Sequence, residues 1–270
     1  MAKTALATLE SALRDHKLDR TLTTALPSLD RADPAAFVPT GLDALDACLR
    51  SGMPRGHLSE VVGPQSSGRT TLALQLMAAA TRDGELVALI DTFDRLDVAS
   101  LVAAGADLSR VLWVRGQAVS KTESAVDPNW VPGESAVRSV RSNAAEGLVE
   151  RTIDRALKAF NLVLQAGGFG IVILDLADAP RTALQRIPFT TWLRVQRAVE
   201  GRDTACVLVA PEPVARSAGG LTLTLTGRTT WTGSRTRPRV AGAEMRMRVV
   251  SPRRRVDGEV TLRSYVAAGL

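Results

Sequence analysis

Gly63-Pro-Gln-Ser-Ser-Gly-Arg-Thr70 decides the fold of this chain. Two glycines with four residues between them, then a basic residue and a threonine, have the spacing of a phosphate-binding loop. The flanks make the pattern specific. His57-Leu-Ser-Glu-Val-Val62 before it is a short β-rich run, and after it Leu72, Leu76, Met77 and Ala80 recur at helical spacing until Asp83-Gly84. In a strand–loop–helix of this kind glycines let backbone N–H groups turn inward, and the positive end of the helix faces phosphate oxygens. The nucleotide-binding candidates are therefore Gly63, Pro64, Gln65, Ser66, Ser67, Gly68, Arg69, Thr70 and Thr71. Thr70 or Thr71 would hold a magnesium ion, with Asp175, at the end of a later strand, as the carboxylate behind it. Arg69 departs from the pattern, which asks for lysine. A planar guanidinium is bulkier than an ammonium and wants two acceptors side by side. Either the loop binds nucleotide weakly, or it keeps its fold without its ligand; the second reading is preferred.

Outward from the loop, strands and helices alternate. Leu86-Val-Ala-Leu-Ile-Asp91, Gly170-Ile-Val-Ile-Leu-Asp175 and Ala205-Cys-Val-Leu-Val-Ala210 are continuous apolar runs, the signature of parallel strands covered on both faces. Val111-Leu-Trp-Val114 is a further strand, and helices are expected near 97–104, 147–165 and 189–200. Thr40 is expected to cap a helix with Leu42, Leu45, Cys48 and Leu49 on its apolar face. The N-terminal stretch 3–17 places Leu6, Leu9 and Leu13 on one side of a short amphipathic helix. Beyond Pro211 the period changes to two, in Leu221–Thr226, Met245–Val249 and Glu259–Arg263, so antiparallel strands should finish one edge of the sheet.

Composition sets the limits. The 270 residues are 45% hydrophobic and 23% charged, enough for one large α/β domain with small attachments. The two cysteines, Cys48 and Cys206, lie in apolar runs, which argues against a disulfide framework and for a reducing cytoplasm. No signal peptide or membrane span is read in the sequence. Net charge is +6, unevenly spread. Residues 216–255 hold ten arginines, no lysine and one acid, Glu244, so that stretch carries +9 and the rest −3. A strongly basic end on a mildly acidic body suggests a polyanion partner. The DNA-binding candidates are Arg216, Arg228, Arg235, Arg237, Arg239, Arg253, Arg254 and Arg255. Trp231, between Arg228 and Arg235, is a candidate for base stacking, whereas Trp113 and Trp192 are expected to pack. His16 and His57 are isolated, so no metal site is expected beyond the magnesium position.

From Thr40 to about Trp113 the chain resembles the RecA family of bacterial recombinases. The likeness rests on Thr40-Gly-Leu-Asp-Ala-Leu-Asp46, Met53-Pro-Arg-Gly56, Glu60 through Gln75, and Ile90-Asp-Thr-Phe-Asp-Arg-Leu-Asp97. The strands at 170–175 and 205–210 extend it more loosely. Together these features imply a three-layer α/β RecA-like phosphate-loop core, its sheet mostly parallel with antiparallel C-terminal strands. Residues 1–39 are expected to be an N-terminal helix and linker, 40–250 the core with a mobile loop over 117–146, and 251–270 a basic extension with an edge strand.

The resemblance also marks what has changed. The water-polarising glutamate of the family falls at Phe93, the adenine-stacking tyrosine at about Ser100, and the glutamine that senses the γ-phosphate near Ala210. A phenyl ring neither accepts a proton nor orients a water. Each lost group of this kind typically removes about 10²-fold or more. The chain is accordingly expected to be no enzyme, with no catalytic residue and no required cofactor, ATP with magnesium being held weakly at most. The positions of the family's two DNA-binding loops are taken by Ala179–Pro188 and Pro211–Gly220.

With its degenerate loop and arginine-rich tail the chain looks most like ImuA, a group of RecA-like accessory proteins of the bacterial translesion-synthesis mutasome. That likeness implies a cytoplasmic, non-catalytic adaptor of the SOS response to DNA damage, supporting mutagenic synthesis past lesions. Its implied partners are a Y-family polymerase-like protein, RecA, a second copy of itself through Leu6, Leu9 and Leu13, and single-stranded DNA. Two alternatives stand beside it: a working DNA-dependent ATPase in which Asp94 or Asp91 replaces the glutamate, and a RecA-like regulator that never meets DNA.

Overall fold

The computed structural model describes residues 34–49, 51–117, 135–215, 220–234, 236–250 and 258–265. The proposed helix at 3–17, with Leu6, Leu9 and Leu13, lies outside them. β1 (Phe37–Val38) pairs antiparallel with β2 (Met53–Pro54), and α1 (Asp43–Leu49) lies between them in sequence. The helix starts three residues later than Thr40. Thr40 instead braces its approach, its hydroxyl accepting from the Leu42 N–H and its own N–H donating to Asp46.

The main sheet has eight strands. Its parallel part is β3 (Leu58–Val62), β4 (Val87–Asp91), β5 (Val111–Arg115), β6 (Ile171–Asp175) and β7 (Ala205–Ala210). Its antiparallel part is β8 (Thr222–Ser234), β9 (Arg237–Val250) and β10 (Gly258–Tyr265). In space the order is β10-β9-β8-β3-β7-β6-β4-β5. β8 runs parallel to β3 and antiparallel to β9, so the sheet changes character at β8. β10 pairs with β9 over eight residues, so the C-terminal stretch completes the same sheet as the core.

Why the central strands read as unbroken apolar runs is plain from the two cores. Val61, Val87, Leu89, Ile171, Ile173, Val207 and Val209 face one side, under α2 (Arg69–Arg82) and α3 (Val98–Ala103). Leu58, Val62, Ala88, Ile90, Val172, Leu174 and Leu208 face the other. That second face is covered by α4 (Ser135–Ala166), α5 (Arg181–Gln185) and α6 (Phe189–Val199). Successive strand residues point to opposite faces, and both faces are dry. Fully burying one such Leu or Ile contributes about 1.5–3 kcal/mol.

α4 begins at Ser135, twelve residues before the expected start, inside the segment read as loop. Its buried stripe, Ile153, Ala156, Leu157, Phe160 and Leu164, is the part with clear helical spacing. The N-terminal turns are rich in Ser, Arg and Asn, which blurs the helical pattern in sequence. α5 occupies the first of the two replaced DNA-loop positions.

Candidate functional site

The phosphate-type loop joins the end of β3 to α2. Pro64, Gln65, Ser66, Thr70 and Thr71 are exposed, and Ser67 is buried with no hydrogen-bond partner for its hydroxyl. Gly68 ends the loop at φ 95°, a left-handed conformation that favours glycine. The loop is also walled by the antiparallel strands. A Cβ at Gly63 would lie 2.3 Å from the Leu225 carbonyl oxygen of β8, and one at Gly68 would lie 2.1 Å from the Met245 sulfur of β9. Gly63 is therefore demanded by the β8 backbone packed against it, and Gly68 by its left-handed conformation, whether or not a phosphate is bound.

Arg69 opens α2 with its side chain turned inward. It is 7% exposed, and its guanidinium donates to the Ala177 carbonyl at 3.2 Å. Asp175 and Asp178 are its nearest charges; burial lowers its pKa and the two carboxylates oppose that shift. Asp175 stands at the end of β6, level with Val209 of β7, which in turn pairs with Val61 of β3. The guanidinium thus lies where the two sequence candidates meet, engaged with its own chain.

Burial raises the Asp175 carboxyl to about 6, with Asp91 and Asp178 adding to the rise, while a backbone N–H from Ala177 and the Arg69 charge oppose it. A folded-state pKa above the unfolded one means that the protonated group favours folding, so its stabilisation is lost as pH rises through about 6. Between about pH 4 and pH 7 the protein should lose on the order of 2 kcal/mol of stability from this group. Asp175→Asn should flatten that slope in thermal melts taken across the range.

The strand ends beside Asp175 are also committed. Asp91 accepts backbone N–H groups from Arg95 and Leu96 at 2.8 and 2.9 Å and the Trp113 indole N–H at 3.1 Å. Phe93 is 5% exposed and belongs to the core beneath α4. Asp94, at φ 57°, points away into a two-bond pair with Arg115 at 2.9 and 2.8 Å, which holds its carboxyl below the ordinary range. Asp178 pairs with Arg95 at 3.3 Å, and Pro180 precedes α5. Among the described residues no three His, Cys, Asp or Glu side chains are grouped to hold a metal ion.

Residues 20–128 match the RecA N-terminal domain family. RecA proteins are similar over longer stretches: that of Nautilia profundicola is 38% identical over 178 residues, 66% of this chain and 45% of that protein. The Chlorobium chlorochromatii protein is 29% identical over 173 residues, 64% and 43% of the two chains. The chain is thus similar to the RecA family over these stretches. It spans less than half the length of either relative.

Set against the RecA family, the three altered positions have definite surroundings. Phe93 is core. Ser100 is exposed in α3 and hydrogen-bonds Asp97, the residue that caps the helix. Ala210 is wholly buried at the end of β7. Glu60, also wholly buried, accepts the Val214 and Ala215 N–H groups at 2.8 Å and so pins the start of the second replaced DNA loop.

The arginine candidates divide by location. Arg216, Arg235, Arg253, Arg254 and Arg255 lie outside the described residues. Arg228, Arg237 and Arg239 sit on an arm formed by the outer halves of β8 and β9, where every described residue from Thr226 to Val240 is exposed. No acidic residue occurs between Thr226 and Ala243. On the arm Trp231 pairs across with Val240 next to a register irregularity, and the two are 63% and 45% exposed. Nearer the body, Glu244 binds Arg246 and Arg263 at 3.0 and 3.2 Å. Arg228, Arg237 and Arg239 have no ion-pair partner among the described residues. Sequence reading found the arm's arginines and Trp231 but missed Arg115, whose role shows only when β4 and β5 pair in register and set it beside Asp94.

Among the described residues no helix is long and apolar enough to cross a membrane.

Proposed function

We propose that this chain is a RecA-like adaptor that does not hydrolyse ATP and serves the DNA damage response by supporting error-prone translesion synthesis. The observation that carries the first half is the inward Arg69. A phosphate loop needs a cation free to follow the triphosphate, and here that cation is buried against Ala177 and faces Asp175. The residues present do not fit magnesium-ATP. The carboxylate that would sit behind the metal faces an arginine, and the water-orienting position is a core phenylalanine. Gly63 and Gly68 serve a separate purpose, Gly63 through its contact with the β8 backbone and Gly68 through its left-handed φ. The motif thus survives as scaffold.

The second half rests on the arm and on the likeness to ImuA. Three described arginines and an exposed tryptophan, on a ribbon free of acids, suit a nucleic-acid strand whose phosphates meet the arginines and whose bases meet the indole. The protein partners in this reading are a Y-family polymerase-like protein and RecA, with self-association through the N-terminal stretch.

Purified protein should turn over no ATP above background, with or without single-stranded DNA. DNA-stimulated turnover that disappears in Thr70→Ala would instead establish a working ATPase. The adaptor role is checked separately, by titrating the protein with purified RecA and with the polymerase-like partner; binding to neither overturns it.

A further inference from the structure

The β8–β9 arm has two unlike faces. Successive side chains of a strand point to opposite sides, and cross-strand partners share a side. The buried Leu223 and Leu225 of β8, with their partners Val249 and Met247 of β9, fix one side as the one turned to the core shared with α2. Gly227, next on that side, lies against the phosphate-type loop, where a Cβ would come within 2.3 Å of the Ser66 carbonyl oxygen. Outward in steps of two, the same side carries Thr229, Trp231 and Gly233. Arg228, Thr230, Thr232 and Ser234 take the other side.

Where the β9 residues fall depends on the register irregularity. Thr230 pairs with Gly242 but Trp231 pairs with Val240, so Ala241 is an extra residue in β9. Beyond it Val240 and Pro238 pair with Trp231 and Gly233, while Arg239 and Arg237 pair with Thr232 and Ser234. An unbroken ladder outward from Gly242 would do the reverse, setting Arg239 opposite Gly233 on the indole's side and Val240 opposite Thr232. The extra residue therefore sorts the arm. Trp231, Val240 and Pro238 share one face, and Arg228, Arg237 and Arg239 share the other.

The tip of the arm also stands clear of the sheet. β3 pairs with β8 only as far as Thr224, and β10 pairs with β9 only as far as Gly242. The last four pairs, Trp231–Ser234 against Arg237–Val240, have no strand on either edge among the described residues. At roughly 3.4 Å per residue they extend about 13 Å.

A single nucleic-acid strand meets both faces only by crossing an edge of the ribbon. A closed duplex offers phosphates on its outside but keeps its base faces stacked within. Both chemistries are presented together where pairing ends: the last base pair exposes a flat apolar face, and the departing strand carries its phosphates past it. We propose that the arm recognises this junction between paired and unpaired nucleic acid. Trp231 and Val240 lie on the last base pair, while Arg228, Arg237 and Arg239 follow the phosphates of the departing strand. This substrate class rests on the nucleic-acid reading of the arm given above.

Fluorescence anisotropy of the full chain with three labelled DNAs at one salt concentration tests it. They are a single strand, a duplex closed at both ends by hairpin loops, and the same duplex opened at one end into two unpaired arms. The forked DNA should bind about tenfold more tightly than either of the others. A fluorescent adenine analogue in its last base pair should change its emission when the protein binds. In Trp231→Ala the preference for the fork over the single strand should disappear, and the emission change with it. A parent protein that binds all three DNAs equally, or a Trp231→Ala protein that keeps the preference, overturns the junction proposal and leaves the arm a general nucleic-acid surface. Binding to none of the three overturns the nucleic-acid reading itself, and the junction with it.

Discussion

Arg69→Met should destabilise the chain by about 3 kcal/mol at pH 8 and by much less at pH 5. Methionine keeps most of the apolar stem and removes the charge, so the change isolates what the guanidinium does. Asp175 would then face Asp91 and Asp178 without a compensating cation. Its carboxyl, already raised to about 6 with Arg69 present, would rise further. At pH 8 it must ionise in an unfavourable place or hold a proton against the solution, and either costs stability. At pH 5 it is largely protonated in both proteins, which leaves only the lost bond to Ala177 and some packing. Denaturant unfolding at the two pH values measures the difference. Equal losses at both would show that Arg69 acts through packing alone and would remove the argument that it is an internal counter-ion.

That argument separates what could be read from the sequence from what could not. The phosphate-loop spacing, the apolar runs at 87–91, 171–175 and 205–210, and the period-two strands after Pro211 were legible because each depends on local pattern. Burial on both faces requires unbroken apolar strands; one exposed face requires alternation. The substitution at Arg69 was legible too, but its direction was not. A loop arginine can face a ligand or its own protein, and the outcome depends on Ala177 and Asp175, more than a hundred residues away. Phe93 and Asp94 show the same limit. Their identities were plain, whereas the burial of one and the pairing of the other with Arg115 depend on which strands become neighbours. The early start of α4 was hidden for a local reason, since polar turns carry no apolar stripe to count.

The glycines teach a related lesson about motifs. Gly63 and Gly68 are the residues that make the loop recognisable as a phosphate cradle, and they are also residues its own fold requires, Gly63 where the β8 backbone closes on it and Gly68 at its left-handed φ. A pattern kept for packing cannot report whether the ligand is still bound. The side chain that would meet the ligand carries that information, and in this chain it faces inward.

The largest effect on a partner should come from the β8–β9 arm, and two variants should affect it differently. Arg228, Arg237 and Arg239 all replaced by alanine should lower affinity for single-stranded DNA about 100-fold at low salt, and reduce the slope of log affinity against log salt by about 2. Each arginine that neutralises a phosphate releases condensed counterions, so its loss removes both affinity and salt sensitivity. Trp231→Ala should weaken binding about tenfold or more by deleting one stacked base, yet leave the slope unchanged, because stacking releases no counterion. These residues are exposed, and none is part of either core, so both variants should melt at the parent temperature. Fluorescence anisotropy with a labelled oligonucleotide at several salt concentrations reads both quantities. A triple variant that binds DNA with the parent's affinity and slope would show that the arm faces a protein or solvent, and the basic end of the chain would then need another role.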